Sequence, residues 1–309
     1  MSFPVADAHC DFLYYMYNEK YDLNCAKQKQ MISRETLENG NVKLQCFAMW
    51  IDPDERTMPL QQAMNLADTY FKMLKENPYF VPFSRDFDEN GDKIATVLTI
   101  EGGEAIAGRE ENLRVFYNMG VRAMTLTWNA TNELGFPAMR KGSKGLTKLG
   151  KKIVGEMDRI GMALDLAHLN DAGIDDALSL YTKPIMASHS NARAVFEHKR
   201  SLSDEHIKAI AKSGGFIGVN YYPPQLCSNS KEASSKHIAD HIEHIINIGG
   251  INCVGLGSDF DGMTKVPQDV ENPSEVPNIF EELKKRGFSD SDIKRISYDN
   301  LKEYLLNFC

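Results

Sequence analysis

Five side chains of metal-ligand type stand at the ends of apolar runs that lie far apart in this chain. They are His9 and Asp11 in Asp7-Ala8-His9-Cys10-Asp11, Glu101 in Ile100-Glu101-Gly102-Gly103, and the pair His168 and His189. Side chains alternate across a strand, so His9 and Asp11 point one way and Cys10 the other. Taken singly, each has a plainer explanation: a chance His-x-Asp triplet, a solvated loop Glu, a hydrogen-bonded core His. As a set, neutral imidazole and carboxylate suit zinc and related divalent ions. A pair of such ions can lower the pKa of bound water to roughly 7, which supplies a nucleophile without Ser or Cys. The pattern predicts a binuclear hydrolytic centre holding two Zn2+, with Mn, Co or Fe also compatible with these ligands.

A further acid, Asp259, lies in Gly257-Ser258-Asp259-Phe260-Asp261-Gly262 after another apolar run. Beside an activated water it could shuttle a proton; the plain alternative is an Asp in an ordinary turn. The segment lacks the further oxygen ligands and distal Glu of an EF-hand loop. His237, His241 and His244 form a rival set at i, i+4 and i+7. They lack the placement of Glu in His-Glu-x-x-His, and a half-exposed helix face is the better reading.

Those residues need a frame that brings them together. Eight β-type runs bounded by turn residues span 4–10, 42–51, 93–100, 120–128, 161–167, 184–188, 215–221 and 253–258. Several are nearly all apolar, as strands of a buried parallel sheet are. Helical spacing occupies Pro59–Glu76 (Leu60, Met64, Ala67, Phe71), 113–119, 146–159, Asp171–Leu180, 203–212, 234–248 and 289–305. Ser203 and Ser289 stand where caps would be. Alternation at this count predicts an α/β fold, a (β/α)8 TIM-type barrel, over residues 1–309 as one domain. A doubly wound sheet is second, since no Gly-x-Gly-x-x-Gly follows the first strand. Segments 85–92, 223–235 and 264–276 read as loops. The last two follow strands seven and eight, where substrate-shaping loops belong.

Composition bounds the rest. A net charge of −8 over 309 residues argues against a nucleic-acid partner or an anionic membrane surface. The start, MSFPVADAHCD, has no basic and apolar leader, and no run is long enough to span a bilayer. Six scattered cysteines without C-x-x-C read as reduced thiols. The expected location is cytoplasmic.

The motifs Asp7-Ala8-His9-Cys10-Asp11, Ile100-Glu101-Gly102-Gly103, Leu126-Thr127-Trp128-Asn129, Asp165-Leu166-Ala167-His168, Ser188-His189-Ser190 and Gly257-Ser258-Asp259-Phe260-Asp261-Gly262 occur in that order. In order and spacing they resemble the membrane (renal) dipeptidase family, zinc peptidases of the amidohydrolase-like barrel superfamily. The resemblance runs through most of the chain. It implies that His9 and Asp11 bind one zinc, that His168 and His189 bind the other, and that Glu101 bridges both. It makes Asp259 the catalytic proton shuttle and Arg200 the grip on the substrate carboxylate. Trp128, Asn129 and Tyr221 become pocket contacts. The implied substrate is a dipeptide, including ones with a C-terminal D-residue, and the family often forms homodimers. Better-known members carry His where this chain has Trp128; indole donates one hydrogen bond but cannot act as imidazole. Other binuclear activities, on cyclic amides or lactones, and a catalytically silent metal-binding relative are the alternatives.

Overall fold

Eight apolar runs become eight parallel strands that close on themselves. The computed structural model describes residues 3–55, 58–142 and 144–309. The strands are β1 (Val5–Asp7), β2 (Val42–Trp50), β4 (Ile94–Glu101), β5 (Val121–Thr125), β6 (Ala163–Asp165), β7 (Met186–Ala187), β8 (Phe216–Val219) and β9 (Val254–Leu256). Each pairs with the next in that order, and β9 returns to β1. The β2–β4 seam is the longest, running from Leu44–Ala95 to Trp50–Glu101. It sets Trp50 beside Glu101 at the mouth. A ninth strand absent from the sequence reading, β3 (Phe80–Pro82), pairs with the start of β4. At three residues it is too short to carry a period.

The helices are α1 (Phe12–Asn18), α2 (Arg34–Asn39), α3 (Pro59–Glu76), α4 (Glu110–Asn118), α5 (Lys148–Ile160), α6 (Asp171–Leu180), α7 (Asp204–Lys212), α8 (Ser235–Gly249), α9 (Pro277–Lys285), α10 (Asp290–Lys294) and α11 (Asn300–Leu305). Sequence reasoning missed α1, α2 and α9; the longest of them has nine residues, little more than two turns. In α3 Pro59 stands in the first turn, where its missing N–H costs nothing. The buried face of α3 is Ala63, Leu66, Ala67, Tyr70 and Met73. The expected stripe is corrected: Met64 and Phe71 are exposed, because the other face carries more apolar positions at helical spacing. Ser203 caps α7 by accepting from the His206 N–H, and Ser289 forms a full capping box with Asp292.

Strands and helices bury one shell of apolar side chains, among them Phe47, Leu98, Met124, Leu164, Ile217 and Val254. Full burial of such a side chain contributes about 1.5–3 kcal/mol. That surplus lets the mouth carry several buried charges. Among the described residues no helix is long and apolar enough to cross a membrane.

Candidate metal centre

Two buried aspartates brace the strands that carry the candidate ligands. Asp7, at the end of β1, accepts from the Ser258 N–H at 2.8 Å and the Ser258 hydroxyl at 2.5 Å. This ties β1, and so His9 and Asp11, to the segment that carries Asp259. Asp165, at the end of β6, accepts from the N–H groups of Ala167 at 3.0 Å and Ser188 at 2.9 Å. It locks the turn before His168 to the end of β7, where His189 follows. Buried carboxylates are tolerable only with partners of this kind.

The backbone is strained where side chains must turn inward. His168 has φ 69°, Asp259 φ 68° and Asp261 φ 63°, all left-handed without being glycine. Such residues cost of order 1–3 kcal/mol each and cluster at functional sites.

All five candidate ligands meet at the C-terminal mouth of the barrel. Glu101 Oε2 lies 3.6 Å from His9 Nε2. Glu101 Oε1 lies 2.8 Å from His168 Nε2 and 3.3 Å from His189 Nε2. His9 Nε2 is also 3.7 Å from Asp11 Oδ2 and 3.9 Å from Asp259 Oδ1. His9, Glu101 and His189 form one group of ligand atoms within 4.8 Å of one another; His9, Asp11 and Asp259 form another. Gly262 leaves room beside them: a Cβ there would lie 2.1 Å from Asp11 Oδ2 and 2.5 Å from Asp259 Oδ1.

The donor set asks for a cation. Asn129 Oδ1 is 3.0 Å from Nδ1 of His168, so that nitrogen carries the proton and Nε2 turns a lone pair toward the Glu101 carboxylate. Two acceptors then face each other in a dry site. His9 Nε2, Asp11 Oδ1 and Glu101 Oε1 are all buried without a hydrogen-bond partner. Burial would raise Glu101, but the charge of His9, followed by the contact with His168, holds its carboxyl well below the usual range. Burial, followed by the nearby Arg200, lowers His168 to about 4. Burial, then the charge of His9, pushes His189 well down too. Against burial, the Glu101 and Asp11 carboxylates raise His9 well above its ordinary value, so a proton sits where a cation's charge would. Ionised carboxylate beside the neutral imidazoles of His168 and His189 is the state that binds divalent metal, which would displace that proton. The residues present therefore fit metal ions.

A cavity of about 370 Å³ opens over the cluster, lined by Asp11, Glu101, His168 and Asp259 from the strand ends. Arg200, Trp128 and Asn129 line it as well. Arg200 is buried; one Nη donates to the His189 carbonyl at 3.3 Å, and its Nε has no partner. Burial lowers it to about 10, against the pull of Glu101 and Asp259, so it stays charged at neutral pH. Asn220 donates to Asp259 Oδ2 at 3.1 Å. Burial, with Asp11 and Glu101 adding to it and His9 opposing, pushes Asp259 up to about 8.

Tyr221 departs from expectation. It is wholly buried, packed edge-on against Phe260 at 5.7 Å, and is off the cavity wall. The next residue, Tyr222, lines the cavity instead, because β8 ends at Val219 and the chain beyond it no longer keeps strand alternation. Tyr15, Trp50, His198 and Gln225 also line the cavity. Sequence reasoning did not single them out; only Trp50, near the end of the second expected strand, carried a positional signal. The rival histidines are engaged elsewhere. His241 accepts from the Ala192 N–H at 3.2 Å, His244 pairs with Asp204 at 2.8 Å, and His237 lies 3.2 Å from the Ser234 hydroxyl.

Comparison with known proteins places this geometry in context. The sequence model for "Membrane dipeptidase (Peptidase family M19)" matches residues 1–303. An uncharacterised dipeptidase of Schizosaccharomyces pombe is 35% identical over 70% of this chain and 53% of its own length. Dipeptidase aclJ of Aspergillus oryzae is 29% identical over 98% of the chain and 77% of its own length. Mouse dipeptidase 3 is 29% identical over 97% and 63%. The chain thus spans about half the length of the first of these and under two thirds of the last. A metallopeptidase of Rhodobacter sphaeroides, solved with a phosphinate mimic of L-Ala-D-Ala, superposes with a TM-score of 0.91 at 23% identity, covering 100% of both chains. That likeness shows a shared fold.

Proposed function

This chain belongs to the membrane dipeptidase family, peptidase family M19, and on that premise we propose that it hydrolyses the peptide bond of dipeptides with two divalent ions, zinc foremost. The observation that carries this reading is Glu101, one of whose oxygens faces His9 while the other faces His168 and His189. His9 and Asp11 would hold one ion, His168 and His189 the second, and Glu101 both. When bound, the ions supply Lewis-acid charge for the scissile carbonyl and an activated water.

The chain's own groups do the rest. Asn220 occupies Oδ2 of Asp259, and the charge of bound cations would draw down a carboxyl that burial otherwise holds at about 8, which leaves Oδ1 to take a proton from the attacking water and pass it to the departing amine. The guanidinium of Arg200 offers a planar fork for the substrate's terminal carboxylate. A carboxylate clamp lining the same cavity as the cluster favours dipeptides over longer chains and orients the bond for attack. The reading includes substrates with a C-terminal D-residue, supported by the dipeptide mimic bound to the Rhodobacter relative.

Elemental analysis and a dipeptide panel, each with and without chelator, test the proposal. Two ions per chain and chelator-sensitive cleavage are expected. Bound metal with cleavage of lactones or hydantoins alone, or of nothing, would reject it.

A further inference from the structure

We propose that an aromatic wall built on Trp50 and Trp128 makes the enzyme select dipeptides whose amino-terminal residue carries a large apolar side chain. The inference rests on the dipeptidase reading and deepens it.

The wall starts at the cluster itself. Trp50 pairs in register with Glu101 across the β2–β4 seam, and Trp128 follows β5. Their rings meet edge to face at 5.0 Å and 68°. Tyr14 packs edge-on against Trp50 at 4.7 Å and is held by its hydroxyl's 2.7 Å hydrogen bond to Asp52. Trp128 also lies 6.1 Å from the His168 ring. Each ring fixes its neighbour, so the wall is preorganised rather than pliable. Met139 lines the same cavity and is 42% exposed. An apolar group left in water in the same cavity as two indoles is surface that a substrate side chain would cover.

Strand order says which substrate residue reaches the wall. Around the barrel the sequence is β1, β2, β4, β5, β6, β7, β8, β9. β7 is therefore the strand opposite β2 in either direction. Arg200 follows β7 and is tethered to the His189 carbonyl. A dipeptide with its carboxylate at Arg200 and its scissile bond over Glu101 directs its amino-terminal residue toward β2, where Trp50 stands with the Trp128 ring packed on it. Apart from the candidate ligand His168, the basic groups lining the cavity, Arg200 and His198, both follow β7. An acidic amino-terminal side chain would meet indole and thioether with no cation to pair.

The chain has two tryptophans, and both are in this wall. That provides a binding readout independent of turnover. On metal-loaded protein, kcat/KM is measured for Phe-Ala, Gly-Ala, Asp-Ala and Ala-Phe, each with L- and D-configured carboxy-terminal residues. Uncleavable phosphinate analogues of the same peptides are titrated while tryptophan emission is followed. Phe-Ala should exceed Gly-Ala by about tenfold or more, with Asp-Ala lowest, and W128A should lower the Phe-Ala to Gly-Ala ratio about tenfold. The Phe-Ala analogue should change the emission of both single-tryptophan proteins, W50F and W128F, more than the Ala-Phe analogue does. These two variants keep an aromatic ring and serve if the alanine variant fails to fold. Cleavage with a flat amino-terminal profile, or a ratio unmoved in W128A, overturns the wall and leaves the dipeptidase reading intact. Absence of cleavage of every dipeptide by metal-loaded protein overturns both.

Discussion

Asn129 Oδ1 lies 3.0 Å from Nδ1 of His168 and sets which imidazole nitrogen is free. From sequence, Asn129 reads as a substrate contact; in the fold it orients a candidate ligand. Partners of this kind are worth 10–100-fold in metal affinity. Asn129→Ala should weaken metal binding by about that factor, measured by competition with a chelator of known affinity. Unchanged affinity with a raised KM would return Asn129 to the substrate.

Asp259→Asn keeps the shape of the side chain and removes its capacity to carry a proton. Turnover should fall by about 10²–10⁴-fold, the usual contribution of a positioned acid–base group. Metal content by elemental analysis should stay the same. A variant that loses metal in proportion to activity would make Asp259 a ligand instead.

Arg200→Lys preserves charge but replaces a fork with a point. KM for dipeptides should rise at least about tenfold, the cost of one charge-assisted hydrogen bond. An unchanged KM in steady-state assays would remove Arg200 from the substrate clamp.

Gly262→Ala probes the close approach of backbone to carboxylates. The added methyl would lie 2.1 Å from Asp11 Oδ2 and 2.5 Å from Asp259 Oδ1, so both must move. A shift of about 1 Å at a reacting centre costs on the order of 100-fold in rate. Metal titration and kcat of the same preparation should both fall; wild-type values for both would show that the loop relaxes away.

On the outer surface, Glu156 sits between Arg159 and Arg114, each 2.7 Å away. The Arg159 hydrogen bonds, opposed by burial and joined by Arg114, hold its carboxyl down at about 2. A depressed carboxylate stabilises the fold above its unfolded pKa, and that stability is lost as pH falls through the folded value. Glu156→Gln should therefore cost about 1–2 kcal/mol at pH 7, discounted because both arginines are substantially exposed. The gap between the two proteins in denaturant melts should close between about pH 4.5 and 2. A gap that stays constant to pH 2 would assign the loss to packing.

His9, Asp11, Glu101, His168 and His189 were legible as a set because buried parallel strands are continuous apolar runs whose ends can be read locally, and ligands at one barrel face must sit at such ends. The long helices α3 and α6 were legible to the residue for the same local reason. The facing of Glu101 toward both His9 and His168 was decided by tertiary structure. It follows from closing β2 on β4 and β9 on β1, pairings between residues far apart in sequence. So do the burial of Tyr221, the turn of Asn129 onto His168 and the meeting of Trp50 with Trp128. A residue's neighbours along the chain determine its strand or helix; which remote side chain it touches depends on barrel closure and on strained turns such as those at His168 and Asp259, and neither has a local signature.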